Sequence, residues 1–589
     1  MLPHPAMIDF EDRLLAQLPS PIHRMTASLA SVTIDRRGEQ EPQRRPFLPR
    51  RVVPTTRSSH ERQAAPSEEL LPTYRALFDS FTRTSADQIS PIDVINRLAH
   101  AGLAPGDPRV AAVMSAFSDA VGNGQMLGLD DFATVCRRNS GIVARAIRGQ
   151  LVIPDFARFA EDLDEIYRAV RENRDGSVAD YIPQLGRVDP EQFAVALCTT
   201  DGQRTSLGDE ATPFCVQSVC KPVNYCLALE ELGAEVVHRH VGREPSGRGF
   251  NELTLNGDGL PHNPMINAGA IMTASLIRRG SPIADRFDHV ADTWRRLAPG
   301  CSVGFNNAVY LSERQTADRN FALGYFMREH GAFPPSTDLI ETLEFYFQTC
   351  SIDVDVRGLA MVAATLANGG VSPLTDERIF SSGTVRKCLS LMSSCGMYDF
   401  SGEFAFSIGV PAKSGVSGAI MVVIPQVLGL AVWSPRLDAL GNSVRGIALC
   451  KELVSRFTFH VFDSLDGGVD KRDPTLSKNQ ATSDGLVRLC WAASQGDLDE
   501  IRSLVASGVD PSLADYDGRT ALHLAASEGQ LDVVRYLLDL GVPRDPVDRW
   551  GGTPHIDAER GAHGEIVTLL RPDGDDGVID GAAMAAVSA

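Results

Sequence analysis

The chain has 589 residues and a formal charge of −19; this length exceeds one hydrophobic core and indicates three or four domains. Hydrophobic residues at 43% and charged residues at 22% are the proportions of a soluble globular protein. The acidic balance excludes nucleic acid as the main partner, because phosphate backbones demand basic patches.

Residues 1–66 are rich in Arg, Pro, Ser and Gln with little periodicity, and are read as a disordered arm. They lack the charged start, apolar core and cleavage site of a secretory signal. Asp9, Glu11 and Asp12 oppose a mitochondrial transit peptide, while Arg36, Arg37, Arg44 and Arg45 leave it open. A cytoplasmic location is expected, with the mitochondrion as the alternative.

Over 67–150 the apolar spacing turns helical, as in Leu71, Tyr74, Leu77 and Phe78 and again in Val94, Ile95 and Leu98. The segment reads as paired helix–loop–helix units like EF-hands. The spaced carboxylates of a calcium loop are missing, so a structural or dimerising role is expected.

Over 151–470 strands and helices mix. Asp201-Gly202 marks a hairpin, and two further strands fit Ala419–Trp433, a stretch broken by Pro425 and Gln426. No stretch approaches the roughly 20 apolar residues of a membrane helix, so no membrane span is expected. Helices lie between the hairpin and the later strands, for example Arg357–Ala367, which stops at Asn368-Gly369-Gly370. This order predicts an antiparallel sheet covered by helices.

Over 483–571 a repeat appears. Ala492 and Ala525, Leu504 and Leu537, and Thr520 and Thr553 are each 33 apart. That period and the Thr-x-Leu-His core are the ankyrin signature, which suggests a protein partner. Residues 572–589 are read as a disordered tail. The eleven cysteines show neither Cys-x-x-Cys pairs nor zinc spacing. They read as reduced, buried thiols, with no metal or cofactor expected.

The chemistry concentrates at Ser218-Val219-Cys220-Lys221. The following apolar spacing predicts a helix, with Pro222 tolerated in its first turn. Ser218 and Lys221 then share one face. A serine hydroxyl needs a base to become a nucleophile. Lysine serves if burial and a helix N-terminus lower its pKa. Lysine is scarce in this chain and arginine abundant. Arginine cannot be deprotonated, so a site needing a titratable amine must keep lysine. Lys413 lies in Lys-Ser-Gly before a predicted strand. Ser-x-x-Lys on a helix with a distant Lys-Ser-Gly is the serine β-lactamase arrangement.

From Tyr181 to about Phe462 the chain resembles the glutaminase family throughout. The motifs are YIPQL at Tyr181, QSVCKP at Gln217, HNPMINAGAI at His262 and SERQTADRN at Ser312. They continue with FYFQTCSI at Phe345, LANGG at Leu366, SCGMYDFSGEFAF at Ser394 and PAKSGVSG at Pro411. The flanking regions resemble those of animal kidney-type glutaminases. The implied fold class is α+β: a β-lactamase-like antiparallel sheet with a helical domain, preceded by an all-α EF-hand-like domain and followed by ankyrin repeats. The implied substrate is L-glutamine, hydrolysed to L-glutamate and ammonia through a γ-glutamyl ester.

The resemblance also implies roles. Ser218 is the nucleophile, Lys221 its base and Tyr398 a second proton carrier. Backbone N–H groups of Ser218 and Val416 form the oxyanion hole. Tyr181, Asn267, Glu313, Asn320 and Tyr346 hold the ends of the substrate. Read alone, Asn267 equally suits a helix cap, Tyr346 core packing, and Glu313 and Asn320 a solvated face. A homodimer or homotetramer is implied as well.

One stretch departs from the animal pattern. Ser246–Asn256 corresponds to a mobile gating loop, but Glu252 stands where lysine is usual and Thr254 where phenylalanine is usual. Weak dependence on phosphate is expected, although Arg248 could partly restore anion binding. Two other readings share these motifs: a penicillin-recognising acyl-enzyme hydrolase, and an inactive ankyrin-bearing scaffold. Ammonia release from glutamine and asparagine, run beside a penicillin-hydrolysis assay, separates all three.

Overall fold

The structure, a computed structural model, describes residues 71–571 apart from 82–83, 85–86, 105, 250, 466–470, 477 and 507–508. The arm expected over 1–66 and the tail expected over 572–589 lie outside the described residues. Two compact units are present. One joins the described residues up to Ile89 with Met126–Arg137, and the other joins Ser90–Gln125 with the described residues from Arg138 onward.

In the first unit, helices Leu71–Phe78 and Leu129–Cys136 meet through Phe132. Its ring stands edge-on to Phe78 at 5.7 Å and Phe81 at 6.1 Å, a geometry that aromatic quadrupoles favour. Ile89 and Leu127 exchange backbone hydrogen bonds of 3.0 and 2.9 Å, pairing the two loops as an antiparallel bridge.

In the second unit, Val94, Leu98, Val113 and Phe117 bury the facing sides of helices Pro91–His100 and Ala111–Gly122. These helices are fastened to the hairpin that follows. The buried Gln203 amide donates to the carbonyls of Ala101 and Ile153, each at 2.9 Å, and its Oε1 accepts from the Ile153 N–H. Arg109 Nη1 donates to the Asp201 carbonyl at 2.7 Å. Buried amides must find such partners, which makes the joint specific.

The strands assigned among the described residues are β1 (Ala194–Thr199), β2 (Arg204–Gly208), β3 (Phe214–Cys215), β4 (Val303–Phe305), β5 (Ile352–Val354), β6 (Ala412–Ser414), β7 (Ala419–Ile424) and β8 (Leu428–Trp433). The main sheet has the order β2-β1-β8-β7-β6 and is antiparallel throughout. The hairpin expected at Asp201-Gly202 joins β1 to β2, with Cys198 opposite Arg204 and Gly202 at φ 83°. The two strands expected within Ala419–Trp433 are β7 and β8. A small sheet β3-β5-β4 lies apart.

Alternation along the strands separates two layers. Ala194, Ala196, Cys198 and Ala431 face helix Val356–Ala367. Val195, Leu197, Leu430 and Val432 face helices Phe156–Arg171 and Val444–Arg456. The face toward Val356–Ala367 is small for a reason. At Gly429 an added Cβ would lie 2.1 Å from the Ala364 nitrogen, so the helix backbone rests directly on β8. This helix ends as expected at Ala367, with Gly369 and Gly370 at φ 63° and 91°.

The ankyrin region contains helix pairs Lys478–Gln495 with Leu498–Ala506, Ala521–Ser527 with Leu531–Asp539, and Pro554–Arg560 with Gly564–Leu570. Leu489, Leu504, Ala525, Leu537, Ala558 and Ile566 form their shared core. The recurrent threonines start helices: Thr520 forms a capping box with His523, and Thr553 accepts from the Ile556 N–H. Among the described residues no helix is long and apolar enough to cross a membrane.

Candidate active site

Ser218 sits on a single 3-10 turn, Gln217–Val219, which runs directly into helix Cys220–Val237. Pro222 occupies the first turn, where a missing N–H costs nothing. The three-residue spacing brings Lys221 Nζ to 2.9 Å from Ser218 Oγ. Lys221 is 1% exposed, and this burial holds its amine below the ordinary lysine range, against the pull of Cys350, Cys220 and Glu313. Its second contact is Asn267 Oδ1 at 2.7 Å. The residue before the serine, Gln217, adopts φ 46°, a left-handed conformation that costs a non-glycine residue about 1 kcal/mol or more.

Lys413 lies on β6 and is fully buried. Its Nζ donates to the Ser414 carbonyl at 2.6 Å and sits 4.4 Å from the centre of the Tyr398 ring. Burial, and then the neighbouring Lys221, push this amine well below its usual value. The chain after Lys413 passes tightly against the serine turn. A Cβ on Gly415 would stand 2.9 Å from the Val216 carbonyl oxygen and 3.0 Å from Val219 Cγ2. That approach brings the segment leading into Val416, itself buried, against the turn Val216–Val219. Tyr398 is held at φ 55°. Burial raises its phenol, and a hydrogen bond with the Ser218 side chain works in the opposite direction.

Beyond Lys221, Asn267 is the hub. Its Nδ2 donates to Asn320 Oδ1 at 3.1 Å and to Asn251 Oδ1 at 3.2 Å, while Tyr346 Oη donates to its Oδ1 at 3.4 Å. Asn267 opens helix Asn267–Leu276, yet its side chain is spent on these residues rather than on capping. Glu313 is also not on a solvated face. It is 6% exposed, accepts from Gln217 Nε2 at 3.3 Å, and burial raises its carboxyl to about 7, with Gln217 and Lys221 opposing. Tyr181 leaves its ring largely open, but its hydroxyl end is enclosed near Glu313 and Tyr398 and raised well above the phenol range by burial.

The predicted side chains thus converge. Ser218, Lys221, Asn267, Asn320 and Tyr346 form one hydrogen-bonded chain, Tyr398 joins it through Ser218, and Glu313 lies alongside through Gln217. Two participants were missed. Gln217 carries the strained backbone and the link to Glu313, and Asn251 reaches the hub from the loop before it. A Gln immediately before the nucleophile was the available signal for the first; Asn251 offered none. All eleven cysteines are free thiols, and Cys220 Sγ lies 3.9 Å from Cys350 Sγ behind the site.

A buried serine–lysine pair suits acyl transfer. A glutaminase family profile matches residues 176–462. The chain is 42% identical over 474 residues to the rat "Glutaminase liver isoform, mitochondrial", covering 80% of this chain and 79% of the relative. The chain belongs to the glutaminase family. It is a glutaminase, an enzyme that hydrolyses glutamine to glutamate. The corresponding mouse isoform is 44% identical with the same coverage. A Nostoc "Glutaminase" is 43% identical across 52% of this chain and 90% of its own length. The glutaminase fold is the expected β-lactamase-like sheet with helices. An EF-hand profile covers 74–154 and an ankyrin profile 489–579.

In the loop of this glutaminase, Glu252 Oε1 accepts from the Gly249 N–H at 3.2 Å, and Glu252 faces Arg248 at 3.9 Å. Arg248 is therefore matched to a carboxylate within its own loop.

Proposed function

We propose that this glutaminase works through a γ-glutamyl ester on Ser218. The observation that carries the reading is a buried amine, Lys221, within hydrogen-bond reach of the serine hydroxyl. Neutral Lys221 takes the Ser218 proton as Oγ attacks the amide carbon. The oxyanion is met by the N–H groups of Ser218 and Val416. The proton returns through Lys221 or Tyr398 to the leaving nitrogen, ammonia departs, and water attacks the ester by the same route in reverse. Lys413 adds a second buried amine, whose own protonation is opposed by burial and by the neighbouring Lys221.

Glutamine is a zwitterion, so its ends need a carboxylate and neutral donors. Glu313 takes the α-ammonium. Asn267, Asn320, Tyr181 and Tyr346 hold the α-carboxylate and orient the chain. We extend the reading to a homodimer or homotetramer and to a protein partner on the ankyrin repeats. The name of the rat relative supports the mitochondrial alternative for location.

Rapid acid quenching of turnover should leave a γ-glutamyl group on the peptide containing Ser218, detected by mass spectrometry. An adduct found only elsewhere would sink the ester. The pH profile should report Glu313. A carboxyl raised to about 7 is protonated below that pH and cannot pair with the substrate ammonium. KM should therefore rise as pH falls through about 7. Glu313→Gln should remove this limb from KM and raise KM at least roughly tenfold. A KM limb unchanged in that variant would assign it to another group.

A further inference from the structure

Two buried thiols stand beside the serine–lysine pair with no part in the acyl transfer. Cys220 opens helix Cys220–Val237 and precedes Lys221 in the chain, and Cys350 closes helix Leu339–Cys350. Their sulfurs are 3.9 Å apart, and neither residue is more than 1% exposed. A disulfide needs the sulfurs at about 2.05 Å, so closure asks for roughly 2 Å of movement. Both residues sit at helix ends, where the hydrogen-bond ladder is incomplete and the backbone yields most easily.

The two sulfurs are chemically unlike. Burial pushes the Cys220 thiol up, but its hydrogen bond with Cys350 and the charge of Lys221 outweigh burial and leave it below the ordinary thiol value. Asn224 Nδ2, on a buried residue, adds a donor 3.8 Å from that sulfur. Cys350 is driven the other way, well above the thiol range, by burial and then by Cys220. Cys220 therefore supplies the thiolate, and Cys350 keeps its proton.

We propose that Cys220 and Cys350 are a redox-modification site: a peroxide of water's size joins them in a disulfide and so switches glutamine hydrolysis off. The Cys220 thiolate attacks one peroxide oxygen and the O–O bond breaks. The proton that the thiol gave up converts the departing hydroxide to water, and Cys220 is left as a sulfenic acid. Cys350 then loses its proton and attacks that sulfur. The S–O bond breaks, and hydroxide leaves with that proton as a second water. Each sulfur gives up one electron, and the peroxide takes both. Full burial of the pair admits a small oxidant and excludes a bulky disulfide. The new bond reaches the chemistry from two sides. It displaces Cys220, on whose position the contacts of Lys221 with Ser218 at 2.9 Å and Asn267 at 2.7 Å depend. It also displaces the Cys350 carbonyl, which accepts from Gln217 Nε2 at 3.4 Å, the same nitrogen that serves Glu313. Misplacing a reacting group by about 1 Å can cost about a hundredfold in rate.

The test uses the full chain, fully reduced, and measures ammonia release from glutamine before and after hydrogen peroxide. Turnover should fall at least about tenfold, in step with a peptide crosslinked through Cys220 and Cys350 and assigned by fragmentation in the mass spectrometer. Dithiothreitol should remove the crosslink and restore the rate. Cys220→Ala should keep its rate through the same treatment. Cys350→Ala should take up oxygen at Cys220 without forming a crosslink, and either variant alone decides the assignment. A parent rate that peroxide leaves unchanged overturns the switch, as does inactivation with no Cys220–Cys350 linkage or inactivation undiminished in Cys220→Ala. So does a linkage placed elsewhere, for instance between Cys226 and Cys388, which also meet. Equal loss with oxidised glutathione rejects the small oxidant.

Discussion

Ser218→Ala is expected to lower kcat for glutamine hydrolysis roughly 10⁴-fold or more, as loss of a nucleophile does in other acyl-transfer enzymes. The fold should survive. The change removes one oxygen, and Lys221 keeps its contact with Asn267 at 2.7 Å. Ammonia release measures the loss, and an unchanged melting curve shows that it is chemical. Turnover within about tenfold of the parent would end the acyl-enzyme mechanism and leave a directly activated water in its place.

Lys221→Arg should be nearly as damaging, about 10³-fold in kcat. Arginine keeps the charge and removes the base. It also fixes a permanent cation at a position 1% exposed, facing the buried amine of Lys413. Lysine can shed its proton there and arginine cannot, so the melting temperature should fall as well. The diagnostic is the combination of lost kcat with measurable glutamine binding. A variant that turns over near the parent rate would move the base role to Tyr398, whose phenol shares a hydrogen bond with Ser218.

The sequence disclosed the parts of this protein governed by local rules. Ser218 and Lys221 met because residues three apart at a helix start share a face. The β1–β2 hairpin formed at Asp201-Gly202 because glycine supplies the positive φ a tight turn needs. Helix Val356–Ala367 stopped where two glycines follow. The sheet was harder to read. Its central strands are buried on both sides, so β1, β7 and β8 do not alternate apolar with polar. β1 and Leu428–Val432 of β8 alternate small with large, and only the helix resting on Gly429 explains why.

The site divided along the same line. Motifs named Asn267, Glu313, Asn320 and Tyr346, but no local rule distinguished a buried carboxylate at Glu313 from one on a solvated face. Its environment is made by Gln217 and Lys221, about a hundred residues earlier in the chain. Asn251 escaped notice because a loop asparagine is ordinary until it meets Asn267. Lys413 was legible as a rare amine, but its position over the Tyr398 ring depends on how β6 packs.

Gln217 and Tyr398 share one property: each holds a bulky side chain on a left-handed backbone, and they flank the reacting hydroxyl from two segments. Glycine would relax either position by roughly 1 kcal/mol. A laboratory selection for heat resistance alone would therefore be rewarded at the two places where relaxation does most harm to turnover. Libraries meant to harden this enzyme should keep both codons fixed and look for their gains elsewhere.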